Sequence, residues 1–173
     1  MTSIQQRANA IRNALLALGA ALGLLTGACT TSGPRTQADA IESYLEAERP
    51  EDAARAAENA IRRDPENPEL RKLAARAHGD TGNAERAIDH LEVALQLSPS
   101  DPAISIELGR LEQERENVPD AYVAYRRATQ LAPDDIRGWS GLALTAEALG
   151  FEQEAVDAYA HWAELEREQG LDP

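Results

Sequence analysis

Small and apolar residues recur along this chain at intervals of four and three. Ala53, Ala57 and Ala60 form one such run. It returns 34 residues later as Ala87, Leu91 and Ala94, then as Ala121, Tyr125 and Ala128, and then as Ala155, Tyr159 and Trp162. Steps of three and four put side chains on one face of a helix. A second apolar stripe precedes each run, at Ala40–Ile41, Ala74–Ala75, Leu108–Gly109 and Leu142–Ala143. The pattern predicts four copies of a helix pair. Pro65, Pro99 and Pro133, also 34 residues apart, punctuate the copies at 34–67, 68–101, 102–135 and 136–169. A fixed period in this range is the signature of stacked repeats, in which each copy buries its face against the next.

Local signals fit these boundaries. Gly82 closes a helix ahead of Asn83, and Gly150 does the same before the last helix. Asp101 and Asp134–Asp135 offer N-caps, Pro119 suits a first helical turn, and Glu51–Asp52 place acids at a helix start.

The columns resemble the tetratricopeptide repeat. They show an early tryptophan (Trp139), a Leu-Gly-like pair (Leu108–Gly109), a small residue opening the second helix (Ala53, Ala87, Ala121, Ala155), an aromatic (Tyr125, Tyr159), an alanine and then proline. The resemblance covers residues 34–169 and implies an all-α solenoid of four helix-turn-helix repeats. The array proper is expected over 37–169, with 170–173 as a tail. Two positions depart from the family pattern: His78 stands where tyrosine is usual, and Arg71 where an aromatic is usual. Loose packing of the second copy is the expectation. Trp162 stands where the first three copies carry alanine. With Tyr159 it is expected either to cover the last face of the array or to form a terminal contact patch, self-association included.

Residues 1–28 differ from the rest. Arg7 and Arg12 precede an apolar run from Ala14 to Leu25, and there is no acid. This is the anatomy of a secretory signal peptide, with a run too short to span a hydrocarbon core of about 30 Å. Leu25-Thr26-Gly27-Ala28-Cys29 resembles a bacterial lipobox, which implies cleavage before Cys29 and lipid attachment to it. The alternative is a plain secreted chain with a free thiol. Thr30 at the next position, by resemblance to lipoprotein sorting, implies the periplasmic face of the outer membrane. Residues 29–36 then form the lipidated cysteine and a short tether. The seven residues from Thr30 to Thr36 reach at most about 25 Å, so the array is expected to stay close to the membrane surface.

Composition narrows the function classes. The formal net charge is -13, and loss of Arg7 and Arg12 leaves 15 basic against 30 acidic side chains. That balance argues against nucleic acid as a partner. The first helices of the resembled fold line a peptide groove. On them the i, i+3, i+7 sets are Glu69, Lys72 and Arg76; Ala103, Ile106 and Arg110; and Arg137, Ser140 and Leu144. Lys72, Arg76, Ile106, Arg110, Arg137 and Ser140 are therefore candidate groove residues, suited to a protein or peptide with anionic groups. The same cations could equally balance Glu69, Asp80 and Glu107. His78, His90 and His161 form no local metal-ligand pair, although contact across repeats stays open. No Gly-x-Ser-x-Gly elbow or phosphate loop occurs. No catalytic residue, cofactor or metal is expected.

The resemblance implies a membrane-anchored adaptor, similar in build to secretin pilotins and to the tetratricopeptide lipoproteins of type IV or Flp pilus assembly. Regulation of peptidoglycan synthases or hydrolases, or a periplasmic co-chaperone role, are the alternatives.

Overall fold

The computed structural model describes residues 36–170, so Cys29, the signal sequence, most of the tether and residues 171–173 lie outside the described part. Eight helices follow one another without a strand among the described residues. They are α1 (Gln37–Glu46), α2 (Pro50–Ile61), α3 (Pro68–Asp80), α4 (Ala84–Leu97), α5 (Pro102–Glu114), α6 (Val118–Leu131), α7 (Ile136–Ala148) and α8 (Glu152–Glu168). Each helix packs against its chain neighbours, giving four hairpins, α1–α2, α3–α4, α5–α6 and α7–α8, stacked in order. No described helix is long and apolar enough to cross a membrane.

The turns inside the hairpins are copies of one another. Each passes through a residue with left-handed backbone, at Glu48 (φ 53), Gly82 (φ 78), Glu116 (φ 60) and Gly150 (φ 77). The residue after it donates its N–H five positions back, from Arg49 to Tyr44, Asn83 to His78, Asn117 to Glu112 and Phe151 to Ala146. This is the 6→1 bond of a Schellman turn, which satisfies carbonyls left free at a helix end. Glycine takes the left-handed conformation at no steric cost, whereas glutamate at the first and third turns carries about 1 kcal/mol of strain.

Starts are capped as their sequences imply. Asp101, Asp135 and Asn83 accept from the backbone N–H groups of Ala103, Arg137 and Arg86, and Pro119 lies in the first turn of α6. Asn67 caps α3 in the same way. Thr36 forms a reciprocal capping box with Asp39, so the last residue of the expected tether already belongs to the fold.

The core follows the columns. Ala53, Ala87, Ala121 and Ala155 are buried, as are Ala60, Ala94 and Ala128. Where a large residue enters the next column it needs room. The Tyr125 ring lies so close to Gly109 of α5 and Gly141 of α7 that a Cβ would meet it at 2.8 Å and 2.4 Å. Two helices can approach the tyrosine because both present bare backbone to it.

Trp162 stacks on Tyr159 with centroids 6.0 Å apart, while His161 stacks on Trp139 at 4.3 Å. The Tyr159 hydroxyl donates to Glu147 at 2.6 Å. Trp139, Tyr159 and Trp162 pack against the last buried cluster. Val156 of the same helix as Tyr159 and Trp162 is 62% exposed.

Candidate functional site

A groove of about 510 Å³ runs along the first helices of all four hairpins. Its lining includes Glu42 of α1, Lys72 and Arg76 of α3, Ile106 and Glu107 of α5, and Arg137 of α7. Leu73 and Ile106 give it a narrow apolar floor, with Leu91 and Ile104 buried beneath. Of the six candidate groove residues, four share this lining: Lys72, Arg76, Ile106 and Arg137. Arg110 and Ser140 are not part of it. Arg110 is held by Glu107 and Glu114, which raise its pKa, and the Ser140 hydroxyl donates back to the Arg137 carbonyl.

The groove is not the positive strip that the cation set alone suggests. Glu42, Glu69, Asp80 and Glu107 line it as well. Lys72 pairs with Glu69 at 2.7 Å and with Asp101 at 3.1 Å. Burial pushes its pKa down, but the two carboxylates outweigh burial and hold the ammonium charged. Arg137 pairs with Asp135, whose carboxyl this guanidinium holds below the usual range. Glu69 and Asp135 are local partners, whereas Glu42 comes from the preceding hairpin and Asp101 from the start of the next, which a reading of one helix face at a time does not show. Arg76 differs: it is exposed and makes no ion pair among the described residues.

A second polar group sits at the junction of the first two hairpins. His78 of α3 and His90 of α4 are both buried, with nearly parallel rings 5.4 Å apart between centroids. Both turn Nε2 toward the same oxygen of Glu58 on α2, at 3.2 Å and 3.1 Å. Arg71 reaches the Nδ1 of His90 at 3.4 Å and the Pro65 carbonyl at 3.4 Å. Burial lowers the His90 pKa against the pull of Glu58. Burial raises that of Glu58, yet the imidazole hydrogen bonds outweigh it and leave the carboxyl below its ordinary value. The expected looseness of the second copy is not what the structure has: the two atypical residues, His78 and Arg71, belong to one packed polar cluster. Sequence reading missed this grouping because its members are 20 and 12 residues apart. The repeat frame could have found it, since a first helix packs between the second helices of its own copy and the one before.

The equivalent positions at the next junction are Glu92, Glu112 and Ala124. With alanine in place of an imidazole, and Ser105 in the Arg71 column, that junction is an open pocket of about 300 Å³. The Ser105 hydroxyl is buried in it without a partner. Trp139 fills the same column in the last copy and donates to the Pro133 carbonyl at 2.7 Å, as Arg71 does to Pro65.

Comparison with known proteins agrees with this architecture. Two family matches, each described as a tetratricopeptide repeat, cover residues 39–102 and 80–145. A stretch of 78 residues is 32% identical to the human protein O-mannosyl-transferase TMTC1, of which it spans only 9%. Among solved structures, a crystal structure of MamA superposes with a TM-score of 0.74 at 21% identity, over 79% of this chain and 80% of that one. The first tetratricopeptide domain of Spaghetti (RPAP3), bound to an HSP90 peptide, superposes with a TM-score of 0.64 at 19% identity, over 66% of this chain and 90% of that one. At these identities the likeness to solved structures concerns the fold. The two family matches together span more than half of the sequence, and four stacked hairpins of the same build carry it, so the chain belongs to the tetratricopeptide-repeat proteins.

Proposed function

We propose that this protein is a membrane-anchored adaptor that receives a segment of another protein in the groove along its first helices. Tetratricopeptide repeats generally act in protein–protein interaction, and a relative of this fold is seen with a peptide bound. One observation carries the reading for this chain: Arg76, an exposed cation with no ion pair among the described residues, stands in the groove beside the slightly exposed apolar edges of Leu73 and Ile106. Such edges accept an aliphatic or aromatic side chain, and a free guanidinium accepts a carboxylate bidentately. Lys72 and Arg137, already paired, define the walls.

The anchor is the second half of the proposal. Its support is the sequence around Cys29, with the basic, apolar and small-residue segments of a lipoprotein leader. On this reading the adaptor works at the periplasmic face of the outer membrane, in the manner of lipoproteins that assist pilus or secretin assembly. Service to cell-wall enzymes is the alternative use of the same groove.

Two measurements test the halves separately. Arg76→Glu is expected to reduce capture of the partner from native membranes at least tenfold with helix content unchanged; full capture would remove the groove from the account. Cys29→Ser is expected to move the protein from the membrane fraction to the soluble one. Persistence in the membrane pellet would remove the lipid anchor.

A further inference from the structure

The cluster at the first junction uses ligand-type atoms in a way that packing does not require. The Nε2 atoms of His78 and His90 and the Glu58 carboxylate all lie within 4.8 Å of one another. We propose that Glu58, His78 and His90 bind a divalent transition-metal ion of the zinc class, which ties the first hairpin to the second.

The two nitrogen–oxygen spacings fit such an ion. Bonds of about 2.0–2.1 Å at tetrahedral angles put neighbouring donor atoms about 3.3 Å apart. The two imidazole nitrogens stand 3.2 Å and 3.1 Å from the same Glu58 oxygen. Two imidazoles and a carboxylate form a donor set that zinc, nickel and copper(II) accept readily, whereas magnesium and calcium prefer oxygen alone. The histidine side chains are only 7% and 11% exposed, so packing fixes where their nitrogens point. Glu58 is 35% exposed, so solvent reaches the outer side, where an ion can arrive and a water can complete the coordination. The chain's charge of -13 raises the local concentration of cations.

One neighbour opposes binding. Arg71 donates to the Nδ1 of His90, which leaves the ring proton on Nε2, facing Glu58. A metal on Nε2 requires the other tautomer, with the proton on Nδ1, and Arg71 must then turn away. Its seat is weakly satisfied: Nε is buried without a partner, and the Pro65 carbonyl lies 3.4 Å from Nη2. Arg71 therefore sets the affinity without being a ligand.

The test uses the full, untagged chain with Cys29→Ser, which removes the sole thiol. Titration with zinc is expected to saturate at one ion per chain and raise the melting temperature. Cobalt(II) in its place should show the visible absorption of a tetrahedral site and be displaced by zinc. Glu58→Gln, at a partly exposed position where folding should survive, is expected to weaken zinc binding about tenfold or more. The double variant His78→Gln/His90→Gln should abolish the one-to-one binding, and Arg71→Leu should tighten it. Absence of saturable binding up to roughly 100 μM zinc, or binding unchanged in both Glu58→Gln and the double variant, would overturn the proposal and leave a hydrogen-bonded cluster only.

Discussion

The first and third junctions of the array are filled at different columns of the repeat and with opposite chemistry: the columns of Glu58, His78 and His90 carry Arg126, Ala146 and Ala158 at the third junction, and Tyr125 stands in the column of Ala57. At the third, where α5–α6 meets α7–α8, Tyr125 is clasped between the bare backbones of Gly109 and Gly141. At the first, where α1–α2 meets α3–α4, two buried imidazoles lean on one carboxylate. Dispersion and area burial hold the tyrosine junction, and nothing there can change state near neutral pH. Hydrogen bonds between two imidazoles and one carboxylate hold the imidazole junction. A repeat fold thus needs volume at each junction but not a given chemistry, and the second junction, with its open pocket, shows that even the volume can fall short.

The largest effect expected from breaking this contrast is at the tyrosine. Tyr125→Ala leaves a cavity between two helices, and urea unfolding should show a loss of about 3–5 kcal/mol. Gly141→Ala sharpens the point because its sign is unusual. In most helix interiors that change stabilises by about 1 kcal/mol. Here the new Cβ enters the ring, and a loss of about 1–3 kcal/mol is expected by the same measurement. The imidazole junction should tolerate more. His78→Tyr, which copies Tyr44 of the first hairpin, is expected to shift stability in metal-free buffer by less than about 1.5 kcal/mol.

Smaller effects concern turns and caps. Glu116→Gly relieves a left-handed glutamate and should raise stability by up to about 1 kcal/mol, whereas Gly82→Glu at the matching turn should lower it by a similar amount. The least effect is electrostatic. The hydrogen bond from Arg137 lowers the Asp135 pKa, so the pair's contribution is complete above the unfolded aspartate value near 3.9 and disappears as pH falls through the lower folded value. Acid titration of stability should show a step well under about 1 kcal/mol, because the arginine is mostly solvated. Arg137→Ala should flatten it.

Much of this was legible from the chain because it is local. The prolines in phase, the alanine columns, Gly82 and Gly150, and the caps at Asn83, Asp101 and Asp135 each act within a few residues of their own position. Glu48 and Glu116 were not legible as turn residues, since glutamate carries no left-handed preference and only the 34-residue frame places them. The candidate site was legible by half. The i, i+3, i+7 rule finds the helix face that holds Lys72, Arg76, Ile106 and Arg137. It is blind to what the neighbouring copies set opposite, so it missed Glu42; it also retained Arg110 because it selects a face without weighing the i,i+3 and i,i+4 acids, Glu107 and Glu114, that hold that guanidinium. The histidine cluster was invisible for a related reason: His78 and His90 meet across the turn of their own hairpin, and Glu58 reaches them from the one before.

The central claim is that a free cation beside an apolar floor receives another protein. The most direct measurement places a photo-crosslinking side chain at Ile106 in the full chain and irradiates native membranes. The account predicts one discrete adduct that Arg76→Glu removes. Absence of any adduct, or an adduct of unchanged yield in Arg76→Glu, would contradict it.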